Sequence, residues 1–280
     1  MNRVFHTAVL CSLAVLLAGC DQPEEPPVWE QVKIGDLAPS QGSGRPSARS
    51  LKSMSFSVRL FDVPAENADK LADLWQALYI RPVRFYSAYA FQANMFSVGY
   101  GDMRMSTVLD EALTSAGAQR VTDMSLLLAD GEVQDMTIAP LRRERSLSYV
   151  STDRSREQAR IGPGALVLRI KAVKVPGTRD SCSLVAAPAF AVPMNSAIPE
   201  LTNRIKAREK QFNSAAFGVR MSPGDLVVLG PSTYINDDTI LPGLFFTNPV
   251  GGPFPQESKS SLPKPGPAVR IFVIVCASVR

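Results

Sequence analysis

The sequence predicts an α+β fold in two parts, and three observations predict it. Between residues 51 and 140, helical three-and-four spacing alternates with the two-residue period of strands. Beyond Pro140 the helical spacing thins, and alternating strands between Gly and Pro turns take over. The composition, 45% hydrophobic and 20% charged over 280 residues, is that of a packed globular chain. Its length allows one or two domains.

Ser55 to Val63 alternates through Phe56, Val58 and Leu60, which predicts a strand ended by Pro64. Ala65 to Tyr79 carries Ala68, Leu71, Leu74, Trp75 and Leu78 at helical spacing, and Pro82 stops it. Val83 to Ser87 and Phe91 to Val98 read as strands. Met105 to Ala116 reads as a second helix ended by Gly117. Val121 to Ala129 and Val133 to Ile138 read as strands joined by a hairpin turn at Asp130-Gly131. The order β-α-β-β-α-β predicts a ferredoxin-like, or ring-building-type, domain over 51–140. Over 141–280 the strands are Ser146–Ser151, Ala165–Val175, Ser183–Val192, Phe217–Met221, Asp225–Gly230 and Val269–Val279, in a β-rich antiparallel domain. One helix begins near Ser196, with Ile198, Leu201, Ile205 and Phe212 at helical spacing. Pro223-Gly224 is a turn, and 249–267 is a Pro/Gly/Ser/Lys-rich mobile loop.

Ahead of this body, Met1 to Gly19 has the parts of an export signal. Arg3 supplies the positive end, and Ala8 to Ala18 is apolar apart from Ser12. That run is about half the roughly 20 residues a membrane-spanning helix needs. Leu17-Ala18-Gly19-Cys20 follows directly and resembles the lipobox of bacterial lipoproteins. The resemblance implies cleavage before Cys20 and palmitate-type acyl chains on it. Residues 1–19 are then a signal peptide, and 20–50 are the lipidated N-terminus and a tether. Asp21 to Ser50 holds five prolines and three glycines without a sustained apolar period. As a coil it reaches roughly 30 Å. Asp21 gives a lean toward the inner membrane, by resemblance to the retention signal of enteric lipoproteins.

The formal net charge of +4 is too small to indicate a nucleic-acid binder. The single histidine, His6, lies in the leader. A chain cut before Cys20 has no imidazole for Ser-His-Asp or Cys-His catalysis, nor for His-bound zinc or haem. Carboxylate chemistry, Ser-Lys chemistry and oxygen-ligated calcium stay open. No cofactor, metal site or catalytic residue is indicated. Cys182 and Cys276 remain after the leader and Cys20 are set aside, and an oxidising compartment favours a disulfide between them. Such a bond is worth about 4–5 kcal/mol by chain entropy.

Three stretches of the second half resemble the core of secretins, the type II/III secretion channel proteins. They are Ile161-Gly162-Pro163-Gly164 through Val173, Ser183 through Pro188, and Pro223-Gly224-Asp225 through Gly230. The resemblance implies a secretin-like β module in an envelope protein and does not extend to a pore.

Two groups of residues are candidates for a binding surface. Arg84, Tyr86 and Tyr89 mix cations with aromatic rings, a composition suited to sugars or anionic polymers. Arg142, Arg143 and Arg145 open a basic stretch over 141–175, with nine Lys and Arg against three acids. Gly99-Tyr100-Gly101 lacks the longer phrase of a phosphate cradle, and Asp237-Asp238 lacks the spacing of a calcium loop. Together these features predict a non-enzymatic, lipid-anchored protein of the bacterial cell envelope, facing the periplasm. It would contact the membrane through its lipid and meet an envelope protein partner, as an accessory of an envelope or secretion assembly, with homo-oligomers compatible. The alternatives are a lipoprotein binding a sugar, peptide or peptidoglycan fragment, and a carboxylate-dependent hydrolase.

Overall fold

The structure, a computed structural model, describes residues 52–178, 180–192, 208–248 and 266–280. The leader, Cys20, the tether, the helix expected from Ser196 and most of loop 249–267 lie outside the described residues. The protein is α+β and mostly antiparallel sheet, as the sequence predicts.

The chain order is β1 (Ser53–Pro64), a 3₁₀ turn (Ala65–Lys70), α1 (Leu71–Ala77), β2 (Val83–Phe85), α2 (Ala88–Ala93), β3 (Phe96–Gly101), α3 (Met105–Ser115), β4 (Gln119–Ala129) and β5 (Val133–Leu141). It continues through β6 (Arg145–Val150), β7 (Arg156–Ile161), β8 (Gly164–Lys174), β9 (Cys182–Ala191), β10 (Lys210–Gln211), a 3₁₀ turn (Asn213–Ala215), β11 (Phe217–Met221), β12 (Leu226–Pro231), α4 (Leu241–Phe246), β13 (Thr247–Asn248) and β14 (Ala268–Val279).

Two sheets stack face to face. The first runs β3-β12-β14-β1-β4 and the second β2-β11-β9-β8-β5, with β13 and β10 as short additions. The alternation read from the sequence explains the layer between them. Phe56, Val58 and Leu60 of β1 and Phe272, Ile274 and Cys276 of β14 point inward. They meet Leu166, Leu168 and Ile170 of β8, Leu184 of β9 and Phe217 of β11. The opposite face of the first sheet is covered by helices. Leu71, Leu74 and Leu78 around α1 and Leu109 and Leu113 of α3 pack on Val228, Val269, Ile271 and Val273. The central strands β12 and β14 are therefore apolar on both faces. A hairpin, β6–β7, seals one flank with Leu147 and Ile161. An aromatic group of Phe96, Phe245, Phe246 and Phe272 fills the space under α4.

Several expectations are corrected. Residues 51–140 and 141–280 do not separate into two domains. Strands from both sides of residue 140 share each sheet, and 50–280 is one compact unit holding both cores. The β-α-β-β-α-β order is therefore not a self-contained sandwich. β1 is flanked by β4 and β14, while β2 and β3 pair with β11 and β12. Asp130-Gly131 is not a hairpin turn. β4 pairs with β1 and β5 pairs with β8, so the turn is a corner between sheets. Pro223-Gly224 is a second corner, carrying the chain from β11 back to β12. The segment from Phe91 begins as helix, because the Ser87 hydroxyl caps α2 by accepting from the Ala90 N–H at 3.3 Å.

One charged pair sits inside. Arg270 Nε donates to Asp62 Oδ1 at 3.0 Å, with side chains only 4% and 12% exposed. Arg270 also reaches the Ile138 carbonyl of the facing sheet at 3.5 Å. Truncating one partner of a buried pair strands the other charge. Asp62→Ala is expected to lower unfolding free energy by about 3–5 kcal/mol in urea titration. The double variant Asp62→Ala, Arg270→Met, which removes both charges, is expected to cost clearly less.

Candidate functional site

An open concavity lies where the β6–β7 hairpin meets the ends of β9 and β10. It is an open cleft of about 410 Å³, in the range of small-ligand pockets. Ala159 and Arg160 of β7, Phe190 of β9, and Glu144, Gly162, Arg208, Glu209 and Lys210 line it. Strand alternation places these side chains. In the β6–β7 register Ile161, next to Arg160, turns inward to the core, and that leaves Arg160 facing out. Phe190 is buried and lends the cleft an apolar wall.

Gly162 forms the rim. Its backbone φ is +105°, and an added Cβ would lie 2.3 Å from the Arg143 carbonyl oxygen. Only glycine fits such a conformation and contact.

The charges of the cleft are unevenly engaged. Glu209 accepts from Arg169 at 3.0 Å, and Arg169 also grips Asp135 through two bonds of 2.8 and 2.7 Å. The Asp135 bonds, joined by Glu209, raise the Arg169 pKa further. Lys210 lies over the Tyr149 ring at 5.5 Å and 4.0 Å from Glu157. Contact with Tyr149 raises its pKa. Tyr149 in turn donates to Glu157 and stacks edge-on against Phe212 at 5.1 Å. Arg208 donates to the Gly162 carbonyl at 3.5 Å. The lining thus offers three cations, two carboxylates and an aromatic wall. Of the carboxylates, Glu209 is already committed to Arg169.

The expected binding residues do not form one surface. Arg84 and Tyr86 sit at the β2 edge, with Tyr86 71% exposed. Tyr89 is exposed on α2 beneath the guanidinium of Arg154, 4.9 Å from its ring centre. Arg142 and Arg143 are exposed before β6, and Arg145 pairs with Asp238 at 2.8 Å. Tyr89 lies against Arg154 at the tip of the β6–β7 hairpin and Arg145 at its base, with a strand of about 17 Å between tip and base. The tip near Tyr89 is fixed by Asn94, whose side chain bonds the Val150 N–H and C=O. There the hydroxyl of Ser151, followed by bonds from Ser155, lowers the Asp153 pKa to about 2.

Sequence reading found Arg160 within the basic stretch but missed Phe190, Arg208 and Lys210. The last two looked like outward charges of the helix expected from Ser196, whereas Lys210 lies in a strand beside β9 and Arg208 in the turn before it. Asp237 caps Thr239 through two hydrogen bonds, and no cluster of three metal-ligating side chains occurs among the described residues.

The second buried polar group surrounds the two cysteines. Cys182 on β9 and Cys276 on β14 face each other between the sheets as free thiols joined by a hydrogen bond. The expected disulfide is not present. An apolar, fully buried setting accommodates two small neutral side chains well. The hydrogen bond to Cys182, with burial, pushes the Cys276 thiol up. Nearby, Tyr100 is pushed well above its usual range by burial and by a hydrogen bond to Asp225. Asp225 itself holds the corner by accepting from the Ser222 N–H at 2.7 Å.

The fold and site thus define an α+β protein with two stacked antiparallel sheets, a helical layer and an open, cation-rich cleft. No known protein family matches the chain, and no curated protein matches it. Among solved structures, the chain is similar to one from the Klebsiella pneumoniae type II secretion system outer membrane complex of PulD, PulS and the PulC HR domain. The identity is 9% and the TM-score 0.20, over 82% of this chain and 40% of that one. So remote a likeness carries no functional weight.

Two outcomes follow from this geometry. Gly162→Ala is expected to destabilise the protein by about 1–3 kcal/mol in chemical unfolding, from backbone strain alone. The raised pKa values of Tyr100 and Tyr149 stabilise the fold fully below their unfolded value, near 10. That contribution is lost as pH rises from there through the folded values. Stability is therefore expected to fall above about pH 10, and Tyr100→Phe to flatten that fall in pH-dependent melting.

Proposed function

We propose that this is a lipid-anchored protein of the bacterial cell envelope that works by binding, with the cleft between β7, β9 and β10 as its ligand site. The anchoring part is supported by the leader, the Leu17-Ala18-Gly19-Cys20 phrase and the proline-rich tether. The binding part is carried by one observation. Arg160, Arg208 and Lys210 converge on an open cleft with an aromatic wall, while one of its two carboxylates is already bound to Arg169. Such a lining suits a carboxylate-bearing ligand, such as an acidic peptide or a peptidoglycan fragment. A Glu209 held by an arginine is engaged structurally, which favours binding over acid–base chemistry.

A protein partner is the second reading, as expected of an accessory of an envelope assembly. Tyr79 and Tyr89, both more than half exposed, and Arg154 favour it. Tyrosine and arginine are the residues that dominate protein interfaces.

Globomycin is expected to accumulate the uncleaved precursor, and mass spectrometry of the mature protein to find acyl chains on Cys20. An unmodified amino terminus defeats the anchoring part. In calorimetric titration with acidic stem-peptide fragments, Arg160→Ala and Arg208→Ala are each expected to weaken binding about tenfold. Unchanged affinity defeats the assignment of the cleft.

A further inference from the structure

The outer face of the second sheet carries no helix layer among the described residues. Its composition follows from register. Arg84 of β2 lies opposite Gly218 of β11, Gly218 opposite Val185 of β9, Val185 opposite Lys171 of β8, and Lys171 opposite Val133 of β5. This is one cross-strand row over all five strands, roughly 19 Å long at the usual strand spacing. The neighbouring row is Arg220, Ser183 and Val173. Side chains opposite one another share a face. The inward set of the same strands, Ile170, Leu184 and Val219, is buried in the core, so both rows point outward.

The two rows contain three cations and no acid. Val133, Val173 and Val185 are 50%, 39% and 44% exposed between them. Tyr86, on the same side as Arg84, stands at the edge. Of the outward carboxylates, Asp135 stands in the adjoining row opposite Arg169, which holds it together with Glu209, while Glu132 and Asp180 are exposed at the strand ends. From Tyr79 to Gly101 the chain holds two arginines and no acid at all.

We propose that this face docks on an anionic lipid surface, with Arg84, Lys171 and Arg220 among the headgroups and the valines and Tyr86 against the interface. A flat row of alternating cations and short apolar side chains matches a planar, negatively charged surface. Each cation near such a surface contributes about 1 kcal/mol, and tyrosine favours the interfacial zone. The proposal rests on the lipid-anchored reading for its setting. On that reading, residues 21–50 taken as a coil of roughly 30 Å are long enough for the body to meet the bilayer.

The test uses the chain from Asp21 onward, without acyl groups, which retains both cores of the compact unit. Vesicles of phosphatidylcholine, with and without phosphatidylglycerol, serve as probes in co-sedimentation. Binding is expected only to the anionic vesicles and is expected to weaken with added salt. The triple variant Arg84→Gln, Lys171→Gln, Arg220→Gln is expected to lower partitioning roughly a hundredfold. The equally discharged Arg142→Gln, Arg143→Gln, Arg156→Gln is expected to bind like the parent. The proposal is overturned by equal binding to neutral vesicles, by absence of binding at low salt, or by equal loss in both triple variants. Self-association through this face without vesicle binding overturns it as well. Acylation of Cys20, read separately by mass, keeps the two readings apart. Vesicle binding by an unacylated chain supports the docking face whatever the state of Cys20.

Discussion

The pairing of β1 with β14 is the constraint on which the structure depends. The two strands run antiparallel from Met54–Val279 to Pro64–Ala268 and sit in the middle of the first sheet. One face of this ribbon supports the helices through Val63, Val269, Ile271 and Val273. The other supports the second sheet through Phe56, Val58, Leu60, Phe272 and Ile274. A one-residue slip would exchange these sets and place each against the wrong layer. The slip is opposed locally. A bulge at Ser55/Phe56 sets the register at one end, and the Asp62–Arg270 pair marks it at the other. Arg270 also bonds across to Ile138, so the ion pair helps fix sheet against sheet.

The two corners complete the arrangement. At Asp130-Gly131 the Gly131 N–H bonds the Ala172 carbonyl of β8, and the Asp130 N–H bonds the Lys52 carbonyl beside β1. At Pro223-Gly224 the Gly224 N–H and the Asp225 carbonyl both bond Cys276 of β14. The first corner is thus tied to both sheets and the second to the central strand of the first sheet.

These corners also show what sequence can and cannot reveal. The strands at Ser55–Val63, Phe217–Met221 and Val269–Val279 and the helix from Met105 are legible, because alternation and three-and-four spacing record which side is buried. Partnership is not recorded locally. Asp-Gly between two alternating runs satisfies a hairpin and a corner equally well, and only long-range packing decides. Phe91 failed as a strand residue because a single capping hydroxyl at Ser87 outweighed its propensity. The six residues of α4, Leu-Pro-Gly-Leu-Phe-Phe, are too short to display a period. For the cleft, Arg160 was visible as charge density. Its neighbours Arg208 and Lys210 arrive from a distant segment through β10, which is two residues long.

Ser55 and Ser278, joined by a 2.8 Å hydrogen bond, are 223 positions apart. Closing so long a loop is entropically slow, and a topology of this kind folds late. During synthesis, the first strand must wait for the stretch 268–279 before either layer beside it can settle. Until then neither the helices nor the second sheet has the central ribbon on which it packs.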